Sequence, residues 1–133
     1  MADYSDYLEN ELLDHWLGGA AFTAPATVYV ALFTAAPNDA GGGTEVSGNN
    51  YSRKSVTNNA TEWPAASGGS KSNANAITFA TPSGSWGTVG WFALFDASTS
   101  GNMLAWSALD STQSPESGNT VQFDAGTLFG TLS

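Results

Sequence analysis

His15 is the only histidine in the chain, and it follows Asp14 directly in a stretch of helical spacing. Neighbouring helical residues point about 100° apart, so Asp14 cannot orient His15 as a triad acid orients its base. The residue reads as an exposed or capping histidine near a helix C-terminus. Without a second histidine or any cysteine, a hydrolase would need a carboxylate pair or a Ser-Lys arrangement, and no spacing singles one out. The twelve acids are dispersed: five are assigned to the N-terminal helix, and Asp39, Glu45, Glu62, Asp96, Asp110, Glu116 and Asp124 fall mostly in expected loops. A glycosidase needs two carboxylates within roughly 5 to 10 Å, and solvating loop charges are the simpler reading of this pattern. The run Asp96-Ala97-Ser98-Thr99-Ser100-Gly101 resembles a calcium loop only faintly, because it lacks the further acidic ligands and the closing bidentate glutamate. It is read as a hairpin turn; no metal site, cofactor or catalytic residue is assigned, and the expected class is non-enzymatic.

Five tryptophans carry the remaining chemical potential. Trp91 and Trp106 sit inside strand-like runs, where a core or interface role is the default. Trp63 and Trp86 lie among Gly, Pro and Ser and are the candidates for a contact surface, for instance a sugar-stacking platform.

The elements that must position these residues are of two kinds. From Asp3 to Leu17, Tyr4, Tyr7, Leu8, Leu12, Leu13 and Trp16 recur at three- and four-residue spacing, which predicts an amphipathic helix. Asp3 or Ser5 can cap it, and Gly18-Gly19 ends it. After Pro25 the chain becomes short β-branched and aromatic runs between Gly, Asn, Ser and Pro clusters, the writing of an antiparallel sandwich. Thr27 to Thr34 is apolar on both faces and predicts a central strand. Further strands are expected at Tyr51 to Thr57, Ala76 to Thr81, Thr88 to Phe95, Met103 to Leu109, Thr120 to Asp124 and Thr127 to Leu132, about seven in all. Pro37 to Gly48 and Asn58 to Ser72 are expected loops, the first a mobile one. The predicted fold is mainly β: an antiparallel two-sheet, jelly-roll-like β-sandwich at residues 25–133, with an N-terminal helical arm at residues 1–24.

Composition narrows the partners. The chain has 133 residues, 3 Lys+Arg against 12 Asp+Glu, a formal net charge of −9 and no cysteine. Charged residues are 11%, under half the usual share of roughly 25%, so Ser, Thr, Asn and Gly must carry the polar surface. Phosphate neutralisation needs clustered Lys or Arg, which argues against nucleic acid and against an anionic membrane surface. The N-terminus is acidic where a signal peptide would be basic, and no apolar run approaches the ~20 residues of a membrane span, so the expectation is a soluble product of the cytoplasm.

Several phrases carry a resemblance. Ser5-Asp6-Tyr7-Leu8-Glu9-Asn10-Glu11-Leu12-Leu13-Asp14-His15, Gly18-Gly19, and Thr23-Ala24-Pro25-Ala26-Thr27-Val28-Tyr29-Val30-Ala31-Leu32-Phe33-Thr34 resemble a family of small virion proteins of tailed bacteriophages. So do Pro37 to Val46, Tyr51-Ser52-Arg53, Ser85-Trp86-Gly87-Thr88-Val89 and Phe95-Asp96-Ala97. The resemblance implies a capsid decoration, head or tail-fibre-like protein and supplies no catalytic motif. Taken with the small polar domain, it makes a capsid decoration (cement) protein on the head surface the leading expectation. Such a protein would contact the major capsid protein or other virion proteins and self-associate at symmetric sites. Tyr4, Tyr7, Leu8, Leu12 and Trp16 are the expected docking residues. The alternatives are a tail fibre or baseplate protein that touches host glycans through Trp63 or Trp86, and a free carbohydrate-binding module.

Overall fold

The computed structural model describes residues 3–132. Among these, ten strands and one helix follow the order β1 (Asp3–Tyr4), α1 (Asp6–Trp16), β2 (Thr27–Ala35), β3 (Thr44–Glu45), β4 (Lys54–Thr57), β5 (Ser70–Ser72), β6 (Ile77–Thr78), β7 (Val89–Phe95), β8 (Met103–Gln113), β9 (Gln122–Phe123) and β10 (Phe129–Thr131). The protein is mainly β, with every strand pair antiparallel.

The main sheet runs β1-β8-β7-β2-β3, with β4 also on β2. The β2 strand is central, as its two-faced apolar pattern predicts. Because side chains alternate across a strand, Val30 and Leu32 enter one cluster while Ala31 and Phe33 enter another on the opposite face. The first cluster is the principal core. There Leu32, Val56, Val89 and Phe92 of the sheet meet Ile77, Phe79, Trp86 and Leu128. The β5-β10 and β6-β9 pairs form the second layer, so the sandwich is closed by two short strand pairs instead of one broad sheet. Phe92 and Phe123 join the layers edge to face at 5.4 Å. On the other face the large rings Phe33 and Phe95 stack at 6.3 Å, with the small residues Ala31 and Ala93 buried between larger neighbours.

Several expectations are corrected. The helix begins at Asp6, because Asp3–Tyr4 pairs with Trp106 and Ala105 as an edge strand. Four of the acids, Asp6, Glu9, Glu11 and Asp14, therefore lie in α1, and Asp3 does not. Segment 37–48 is folded: Asn38 and Gly41 exchange backbone hydrogen bonds of 2.7 and 2.8 Å, and β3 follows on the edge of β2. A Cβ at Gly43, whose φ is +75°, would meet Ala35 O at 2.7 Å, so the turn into β3 requires glycine. Segment 58–72 likewise contains β5. Both short strands are polar and too short to show a period, and β5 also owes its conformation to β10, far along the chain.

Candidate docking surface

Ser5 fixes the start of α1. Its Oγ accepts from Leu8 N at 3.2 Å and donates to Met103 O, while its own N–H donates to Leu104 O. One buried hydroxyl thus caps the helix and ties it to β8. Asp6 N donates to Asp39 O, and Asp39 Oδ1 accepts from Trp106 Nε1 at 2.9 Å, so the 37–41 turn braces the same corner. Tyr4 Oη donates to Thr131 O at 3.0 Å, and burial raises its pKa above the ordinary phenol value.

The expected docking residues separate into two groups. Tyr4 belongs to β1, and Tyr4 and Leu8 line a cavity of their own domain; Leu12 is half-buried. Tyr7 and Trp16 face solvent, with Trp16 70% exposed. Beside Trp16 stand Leu13 and Leu17, 52% and 64% exposed, which the sequence reading did not place in the site. Their i, i+3, i+4 spacing was the available signal. The helix has apolar residues on both sides and no fully buried residue.

The cavity that Tyr4 and Leu8 line lies between the layers and measures about 460 Å³. Its walls are mostly apolar, including Phe92, Leu94, Leu104 and Leu128, and Lys71 and Leu132 belong to its lining. Trp63 also lines it, half-buried against the core. Among the described residues the Trp63 Nε1, which is buried, finds no hydrogen-bond partner. Trp86, expected at a contact surface, is instead core: it is 4% exposed, and its Nε1 donates to Asn49 O at 2.9 Å. Its polar, glycine-rich flanks are a loop that carries the indole inward.

The residues with chemical potential are engaged structurally. His15 Nδ1 donates to Ala20 O at 2.9 Å and closes the end of α1, as a capping histidine should. In the 96–102 turn, Asp96 accepts from Asn102 N at 2.7 Å and Asn102 Nδ2 at 2.9 Å. Its carboxylate is spent on the β7–β8 hairpin. Among the described residues no group of three or more His, Asp or Glu converges as a metal site. Arg53, one of the few cations, lies at the centre of a partly buried network. It makes a bidentate pair with Glu45 at 2.9 and 2.8 Å, donates to Ala97 O and Ser100 O at 2.9 Å, and stacks 3.7 Å above the Phe95 ring centre. Tyr51 Oη donates to the same Glu45 at 2.7 Å and accepts from Leu32 N at 3.0 Å. Burial foremost, helped by the Glu45 carboxylate, raises the Tyr51 pKa far above its ordinary value.

The arrangement offers a helix with a free apolar side, an apolar cavity and a polar network that locks loops together, which suits a part made for contact with other proteins. No curated protein matches the chain. A family model described as "Podophage GP4 fiber I protein gp80" matches residues 3–131, nearly the whole chain, and the protein therefore belongs to this family of structural components of tailed-phage particles.

Proposed function

We propose that the protein is a non-enzymatic building block of a phage fibre, joined to other virion proteins through the outer side of α1. The observation that carries this reading is the family match over residues 3–131, whose description names a fibre protein. The exposed Leu13, Trp16 and Leu17 support it, since an apolar patch kept in water marks a contact surface. In this reading the protein acts by burying area against neighbours, and the Arg53 and Ser5 networks keep the domain rigid while it does so. Burial of Trp86 removes one of the two tryptophans considered for glycan contact, and the fibre role is assigned to protein contacts.

Electron cryo-microscopy of intact particles tests the assignment. A fibre component is expected in few copies at the tail or at a projecting appendage. Hundreds of copies spread regularly over the head would overturn it in favour of the capsid decoration role. A deletion of residues 1–19 is a poor companion test, because it also removes β1 and the buried Ser5. Replacing Leu13, Trp16 and Leu17 by Ser leaves those anchors in place and is expected to abolish incorporation.

A further inference from the structure

We propose that the end of α1 is held by a second copy of the same chain, with Trp16 and Leu17 seated in the apolar cavity lined by Leu8, Trp63 and Leu104. The proposal rests on the reading of α1 as a docking element and is independent of where in the particle the protein stands. Two observations point to this occupant.

The two surfaces match in character but cannot meet within one chain. Leu8 of α1 already lines the cavity, whereas Leu13 and Leu17 are five and nine residues further on. At about 100° and 1.5 Å per residue Leu13 and Leu17 point away from the Leu8 side, and Trp16, although on a neighbouring side, lies roughly 12 Å along the axis from Leu8 and is 70% exposed. A volume of about 460 Å³ is ample for an indole, and the half-free Leu132 extends the apolar lining to the surface.

Charge is complementary. The helix carries Asp6, Glu9, Glu11 and Asp14, and its C-terminal carbonyls add the negative end of the dipole. The cavity contributes Lys71, which makes no ion pair among the described residues. In a chain with net charge −9 and three cations, one of them held by Glu45, this places a free cation where an acidic helix end would arrive.

Because knob and cavity are different patches, the contact is heterologous and adds copies around a ring or along a filament unless two copies close on each other. Sedimentation of the full chain up to about 100 µM, a range that detects weak self-association, is the test. The wild-type chain is expected to associate with rising concentration. Trp16→Ala should weaken this roughly thirty-fold or more, as loss of a central aromatic anchor does. Ala66→Trp, at an exposed loop position that lines the cavity, should block it from the other side. A mixture of these two variants, each alone monomeric, should form a heterodimer and nothing larger, since one supplies the knob and the other the cavity. Lys71→Glu, a surface change that spares the fold, should weaken association in the same direction should Ala66→Trp fail to fold. A wild-type chain monomeric throughout the range, oligomers indifferent to both Trp16→Ala and Lys71→Glu, or folded variants that do not pair when mixed would each overturn the proposal. Association by this route together with many copies on the head would leave it standing and remove only the fibre assignment.

Discussion

Tyr51 illustrates how a single hydroxyl can serve two elements. It receives Leu32 N from the central strand and donates to Glu45, which in turn holds Arg53. Phenylalanine would retain the ring contacts with Phe79 and Trp86 but strand the Leu32 N–H and leave Glu45 Oε2 with Arg53 Nε alone of its two donors. Tyr51→Phe is expected to cost about 1–3 kcal/mol at neutral pH in urea unfolding. The pH dependence has a definite sign. The folded state holds the phenolic proton more tightly than the unfolded chain, so the associated stability is whole below the ordinary tyrosine pKa of about 10 and is lost as pH rises above it. Unfolding between pH 8 and about 11 should show a steeper alkaline decline for wild type than for Tyr51→Phe. Equal slopes would show that the raised pKa contributes nothing to alkaline lability.

At the scale of elements, the N-terminal corner has the most concentrated wiring. Ser5 is at once the N-cap of α1 and a buried bridge to β8, so its loss affects both. Ser5→Ala should destabilise by about 1–3 kcal/mol, the sum of a lost cap and a stranded Met103 carbonyl. Hydrogen exchange should show faster opening of α1 than of β2 and β7 in that variant; uniform loss across the sheet would argue against a local anchor. The helix itself was legible from the spacing of Leu8, Leu12 and Trp16, and its cap only as Asp3 or Ser5, between which the structure chooses Ser5. Its true start was not, because Asp3–Tyr4 satisfies the helical period as well as it fits the edge of β8, and only the partner strand decides.

For the whole molecule, charge is used sparingly and internally. Of three cations, Arg53 is consumed by Glu45, Ala97 and Ser100, which leaves Lys54 and Lys71 exposed on a body of net charge −9. Neutralising even a few phosphates requires more than that. The protein is expected to leave double-stranded DNA unshifted in a gel-mobility assay at ~0.15 M salt, where Debye screening already limits long-range attraction. A shift at that salt would contradict the assignment of its partners to proteins alone.

The order of apolar residues by itself determined that the chain is a β protein with one amphipathic helix, that β2 is central, and that the 96–102 segment is a turn. Each of these depends on periods of two or 3.6 residues and on turn chemistry within a few positions, which are local properties. Tertiary structure alone decided which aromatic residues face outward. Trp86 sits in a stretch that looks like surface, and it is buried because Asn49, 37 residues away, supplies an acceptor and Tyr51 and Phe79 supply ring contacts. Leu13 and Leu17 sit in a stretch that looks like core, and they remain in water because one side of α1 already meets the sandwich through Leu8. Burial is a property of what the fold brings from elsewhere, and composition along a single segment does not contain it.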